Sequence, residues 1–178
     1  VILPLLPLLT DGLIDPESIQ VVSMSGTSGA GRKADAALLF AECNESLRAY
    51  SVPRHRHLSE IEQELSIAAA RKVTISFTPI LAPVTSGIYT TAYAAAGKGV
   101  GADELHASFG KAYGESPFVR LLGENIPPDT KNVTGSNFID IGWAHDCRTG
   151  RFVLMSAEDN LVKGASGQAV QSFNLMTG

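Results

Sequence analysis

Two histidines one residue apart, in His55-Arg56-His57, stand where an extended segment gives way to a helical pattern, and Glu60 follows three residues later. A carboxylate one helical turn from an imidazole can fix its tautomer and orientation, which a general acid–base catalyst needs. His57 steered by Glu60 is therefore a candidate catalytic pair. Two other readings stay open. The set His55, His57 and Glu60 could ligate a metal, or the histidines could simply pack at a sheet edge. No further histidine or cysteine lies at a supporting spacing, and His106 falls on a different helix, so no metal is expected.

A second candidate is Ser25-Gly26-Thr27-Ser28-Gly29-Ala30-Gly31-Arg32, which follows a β-branched run. Its glycines and hydroxyls predict exposed backbone N–H groups and free side-chain donors, the parts of an anion-binding nest. Arg32 would add a fixed charge suited to a carboxylate or phosphate. A plain strand–helix turn has the same composition, and the spacing is neither that of a P-loop nor of a dinucleotide fingerprint. The third candidate is the stretch from Glu158 to Gln168, where Gly164 and Gly167 fall inside a helical pattern. A helical glycine costs about 1 kcal/mol relative to alanine. Two of them ask for a close approach, either by a cofactor or by packed backbone.

The elements that must position these residues follow from periodicity. Residues 1–9 read as the tail of a helix ended at Asp11-Gly12, and residues 19–24 as a strand. Residues 33–47 have helical spacing through Ala37, Phe40 and Ala41, and residues 50–53 are extended. Residues 59–70 carry a capping-box signature, Ser59 with Glu62. Strands are predicted over 72–77, 88–95, 118–122, 138–145 and 152–156, the last two as a hairpin, with helices over 103–113 and 160–175. Strands that come both singly between helices and as neighbours favour an α+β domain. Its sheet would be mixed, largely antiparallel, and covered by helices on one face.

At 178 residues the chain fits one domain, and a net charge of −4 without basic clusters argues against nucleic acid. The apolar run of residues 1–9 is too short for a membrane span. Cys43 and Cys147 are isolated, which favours a reducing compartment, the cytoplasm by default or an organelle in a plant or fungus. Apolar patterns still running at both ends lead us to expect a portion of a longer protein.

In order along the chain, four motifs resemble N-acetyl-γ-glutamyl-phosphate reductases: S-G-T-S-G-A-G-R-K, H-R-H-L-S-E-I, F-T-P-I-L-A-P-V-T-S-G-I, and E-D-N-L-V-K-G-A-S-G-Q-A-V-Q. Ser59, Ile80 and Ser86 depart from that family's usual proline, histidine and arginine. The resemblance implies a glyceraldehyde-3-phosphate-dehydrogenase-like fold, with residues 1–178 as the catalytic and dimerisation domain and an N-terminal Rossmann domain outside the chain. It implies reduction of an acyl phosphate by NADPH through a cysteine thioester, in arginine biosynthesis, with the cysteine also outside. His57 and Glu60 would be catalytic. Ser25, Ser28, Gly29, Arg32 and His55 would bind substrate, and Asn160, Lys163, Gly164 and Gly167 would face NADP. A homodimer or homotetramer is expected. The competing readings are a sister reductase acting on aspartyl or aminoadipyl phosphate, and a non-catalytic dimerisation module.

Overall fold

The β-branched and aromatic runs form strands, as their packing on a pleated surface favours. The computed structural model describes residues 1–31 and 34–178. In chain order it contains α1 (Ile2–Thr10), β1 (Gln20–Ser25), α2 (Phe40–Cys43), β2 (Arg48–Ala49), α3 (Leu58–Ala68) and β3 (Ser76–Leu81). There follow β4 (Ile88–Ala95), α4 (Ala102–Tyr113), β5 (Val119–Glu124), β6 (Ile139–Asp146), β7 (Arg151–Glu158) and α5 (Gly167–Thr177). The strands form one sheet in the order β2-β3-β1-β4-β7-β6-β5. β1 runs parallel to β3 and β5 parallel to β6, while the other neighbours are antiparallel. This is the mixed, largely antiparallel sheet expected from the sequence.

Register decides which side chains share a face, because residues directly opposite in a ladder point the same way. Val21, Ala92, Leu154 and Trp143 are aligned across β1, β4, β7 and β6, and all four are buried. They meet Leu5 and Leu8 of α1, Leu65 of α3, and Leu105 and Phe109 of α4. α1 packs against both other helices and is the keystone of that layer. It carries Pro7 in its interior, so one backbone N–H is missing from the ladder. The carbonyl that this N–H would have reached, Leu3 O, accepts instead from the Tyr113 hydroxyl of α4 at 2.9 Å. The opposite face aligns Val22, Thr91 and Met155, with Met24 and Tyr93 exposed beside them.

Four local expectations are corrected. Residues 33–47 are not one helix. Among the described residues there is a short turn, Ala36–Leu38, started by the Asp35 carboxylate, then the four-residue α2. Phe40 is exposed, so the periodic apolar face has no surface to bury against, and a short helix without packing does not persist. The strand expected over 72–77 lies over Ser76–Leu81, Pro79 included. Helix α3 is preceded by His57, not capped by Ser59, and Glu62 accepts from the Ile75 N–H instead of closing a capping box. The helix expected over 160–175 opens with a π-helical turn, Val162–Ser166, whose bonds span five residues, Gly164 N to Asp159 O and Ser166 N to Leu161 O.

Tyr113→Phe leaves the Leu3 carbonyl without a donor beneath the α1–α4 contact. The expected loss is about 1–2 kcal/mol of stability, read by denaturant unfolding against wild type. An unchanged midpoint would show that Pro7 is tolerated without that bond.

Candidate functional site

β1 and β3 end side by side at Ser25 and Leu81, and the same row continues through Ile88 at the start of β4 to Glu158 at the end of β7. Three connections therefore leave one edge of the sheet: residues 26–31, 82–87 and 159–161. Loops at the ends of strands are where a fixed scaffold presents variable side chains.

The first two loops zip together by backbone. Gly26 N donates to Gly87 O at 2.9 Å, Thr27 N to Val84 O at 2.9 Å, and Ser28 N to Thr85 O at 3.0 Å. Gly26 has to be glycine, since a Cβ there would lie 2.8 Å from the Ser86 backbone. Gly29 and Gly31 donate back within their own loop, to Gly26 O and Ser28 O. The open nest of N–H groups expected from the sequence is thus occupied by protein carbonyls, because loop 82–87 supplies acceptors in register. Of the hydroxyls, those of Ser25 and Thr27 donate to Gly26 O and Val84 O, whereas Ser28 donates to nothing among the described bonds.

The third connection ties these loops to β7. Asn160 Oδ1 accepts from Gly87 N at 2.7 Å, and its Nδ2 donates to Ser28 Oγ at 2.9 Å. One residue earlier, the buried Asp159 carboxylate accepts from Leu161 N, Val162 N and, across to another loop, Gly135 N. Burial pushes the Asp159 carboxyl up, but those three N–H donors outweigh it and hold it below the usual range. Ser25, Ser28, Gly29 and Asn160 are thereby brought together, with the Gly29 Cα facing the Ser25 hydroxyl and the Asn160 amide. Arg32 lies outside the described residues.

The histidines stand elsewhere on the frame. His55 packs edge-on against Tyr50 and Phe77, at ring distances of 5.5 Å each, and against His57 at 5.1 Å. Phe77 is level with Val21, four residues before the row that ends at Ser25. At about 3.3 Å per residue the two groups are separated by roughly 13 Å along the strand direction. His55 Nδ1 accepts from the His57 backbone N–H at 3.3 Å, which leaves Nε2 to carry the proton of the neutral ring. Burial, then the neighbouring His57 and Arg56, lowers the His55 pKa. His57 is exposed at the head of α3, and Glu60 sits exposed in its first turn. Among the described contacts no hydrogen bond or ion pair joins Glu60 to His57.

Of the residues expected to face a cofactor, Lys163 is buried, donating to Gln171 Oε1 at 2.9 Å. Burial draws its ammonium below the usual lysine range, with the Glu158 carboxylate opposing. Gly167 is accounted for by packing, since a Cβ would collide with the Asn137 amide oxygen and with Val162. Gly164 is exposed, its nearest neighbour 3.6 Å from where a Cβ would lie, and is open to contact from outside.

Residues 1–160 match the model of the semialdehyde dehydrogenase dimerisation domain. The chain belongs to that family. Across its whole length it is 60% identical to an N-acetyl-gamma-glutamyl-phosphate reductase of Akkermansia muciniphila, of which it covers 51%. It is 54% identical over its whole length to the enzyme of the same name from Geobacter sp. strain M21, covering 52%. The chain thus spans about half the length of the curated relatives it matches. Among solved structures, aspartate semialdehyde dehydrogenase II from Vibrio cholerae superposes with a TM-score of 0.72 at 16% identity, over 97% of this chain and 58% of that one. At that identity the likeness establishes the fold.

Within this dimerisation domain, Gly87 and Asp159 fall inside two of the four motifs but were given no role of their own. Each had a local signal: Gly87 takes φ +106 at the entrance to β4, and Asp159 precedes a helical turn where acidic caps belong. Only the fold shows that Gly87 N–H donates to Asn160 and that the Asp159 carboxylate reaches the loop at Gly135.

The His55 pKa lies below its unfolded value, so the folded state resists protonation of that ring. Its contribution is complete above about pH 6.5 and is lost as pH falls through the folded pKa. Unfolding measured at pH 7 and pH 5 should show a smaller acid loss in His55→Phe, which keeps a ring against Tyr50 and Phe77. An equal loss in both proteins would assign the pH dependence elsewhere.

Proposed function

We propose that the domain is the substrate-binding, acid–base and dimerisation half of an NADP-dependent reductase. It would convert N-acetyl-γ-glutamyl phosphate to the semialdehyde, in the cytoplasm, on the route to arginine. The observation that carries this is the 60% identity over the whole chain to a relative of that name. The hydroxyl-rich edge at Ser25 and Ser28 supports it, since hydroxyls there could donate to the anionic groups of such a substrate. The net reaction is acyl phosphate plus NADPH and a proton giving aldehyde, inorganic phosphate and NADP+. Bound nicotinamide would supply the hydride.

Acyl transfer before that step needs a nucleophile, and neither cysteine here is placed for it. Cys43 is buried in α2 with its thiol donating to Ala37 O. Cys147 lies on the β6–β7 turn, at the sheet edge opposite Ser25 and Glu158. In this reading the thiolate, like a Rossmann domain, would be supplied by residues outside these 178. His57 would take the thiol proton and return it to the reduced carbonyl oxygen, with Glu60 turning toward it once substrate is bound. The outward apolar side chains of α5, Val170, Phe173 and Met176, offer that second domain a surface, and Gly164 offers the dinucleotide a close approach.

In the full-length protein, His57→Asn should lower kcat about 10²–10⁴-fold in an assay of NADPH oxidation with the acyl phosphate. Wild-type protein that turns over aspartyl phosphate and ignores the acetylglutamyl compound would reassign the substrate. The aligned face of β1, β4 and β7 would pair two copies. Met24→Glu with Tyr93→Lys should convert a dimer to a monomer in sedimentation at micromolar concentration. A dimer that persists moves the interface off this face.

A further inference from the structure

We infer that Asn160 is a positioning residue that turns the Ser28 hydroxyl outward, making it the loop's donor to an anionic oxygen of the ligand. The polarity of the chain of hydrogen bonds dictates this. Gly87 N–H can only donate, so the amide atom 2.7 Å from it is the acceptor Oδ1. The other amide atom is then the donor Nδ2, and it points at Ser28 Oγ from 2.9 Å. An Oγ that receives a hydrogen bond from one side has its own hydrogen to give on another. Gly29 lies against this pair, since a Cβ there would meet Nδ2 at 3.5 Å, an ordinary contact, and Ser25 Oγ at 3.3 Å. The backbone donors of Gly26, Thr27, Ser28, Gly29 and Gly31 are all committed to carbonyls, so a ligand cannot be held by them. Asp159, bound to Gly135 N, Leu161 N and Val162 N, fixes the backbone from which Asn160 projects.

The ligand chemistry is a carboxylate or phosphate oxygen, and this assignment rests on the acyl-phosphate reading of the site. The test uses full-length protein and two probes, inorganic phosphate and N-acetyl-L-glutamate, titrated separately by calorimetry. Ser28→Ala removes the donor. Asn160→Asp keeps the size and the acceptor for Gly87 N–H but offers Ser28 a carboxylate oxygen, so the hydroxyl turns inward.

Each substitution should weaken binding of one probe about tenfold or more, the loss expected for a hydrogen bond to a charged oxygen. The probe that responds identifies the group addressed. The double variant should bind no more weakly than Ser28→Ala alone, because orientation has no meaning without the hydroxyl. A further loss in the double variant would mean that the new aspartate merely repels the anion, and the inference falls. It falls equally if Ser28→Ala binds both probes like wild type, or if wild type binds neither. Should Asn160→Asp fail to fold, Asn160→Ser drops both contacts without adding charge, and its affinity should lie between wild type and Ser28→Ala. Turnover is scored apart from binding. Wild type that binds a probe but does not reduce the acyl phosphate removes the functional reading and leaves the hydroxyl assignment standing.

Discussion

With one amide group Asn160 holds Gly87 and Ser28, and with the preceding carboxylate the same turn holds Gly135. These bonds join connections that leave from the ends of β1, β3 and β7 and from the stretch before β6, which are distant in sequence and meet only because the sheet puts them at one edge. A buried amide or carboxylate is costly unless its hydrogen-bonding capacity is met, so the loops have little freedom to separate. Asp159 shows how strongly that environment is tuned. Desolvation works against its charge, and three backbone donors more than restore it. Precision at the edge is thus obtained from side chains that themselves face inward, leaving Ser28 as the group presented outward.

The sheet beneath solves a related problem of polar accounting. Its helix-covered face is apolar at the centre, but toward the edge Ser23 and Thr90 are buried and satisfy one another at 2.9 Å. On the other face, Asp140 is buried and carries a bidentate pair with Arg120 of the neighbouring β5. A carboxylate so placed would be strongly destabilising without its guanidinium. The pairing also fixes where the chain between β5 and β6 can lie, since Arg120 reaches on to Asn132 O. Gly142 admits the Ile126 carbonyl at the same place, where any Cβ would collide with it. The part of that face carrying Val22, Met24, Thr91, Tyr93 and Met155 is left open for another surface to cover, which is what a dimerisation domain requires.

Much of this was legible in the sequence. Strands rich in β-branched residues, the hairpin across residues 147–150 and helix α4 were all written in period and turn chemistry. The failures share a cause. Residues 33–47 have helical spacing, yet spacing stabilises a helix only where a partner surface exists, and Phe40 has none. Ser59 and Glu62 spell a capping box, but the Ile75 N–H competes for the Glu62 carboxylate across thirteen residues. The glycine-rich loop showed its donors and hid their partners, because the acceptors come from residues 84–87 on another connection. Pairing between distant segments is the information that composition and local period do not hold.

The two glycines of the terminal helix illustrate the same limit and also its remedy. Their cost in a helix demands close approach, for which packed protein is the favoured reading and a cofactor the alternative. The structure gives the two glycines different surroundings. Gly167 is filled against Asn137 and Val162, whereas Gly164 is exposed, with the Asp159 carbonyl at ordinary contact distance from where a Cβ would lie. The intervening turn is π-helical, and the extra residue it accommodates sets Lys163 inward while leaving Gly164 at the surface. The widened turn therefore lets one short segment lock into the domain and present a bare backbone outward, and Asp159, bonded to the first two N–H groups of that segment, is the residue that sets its start.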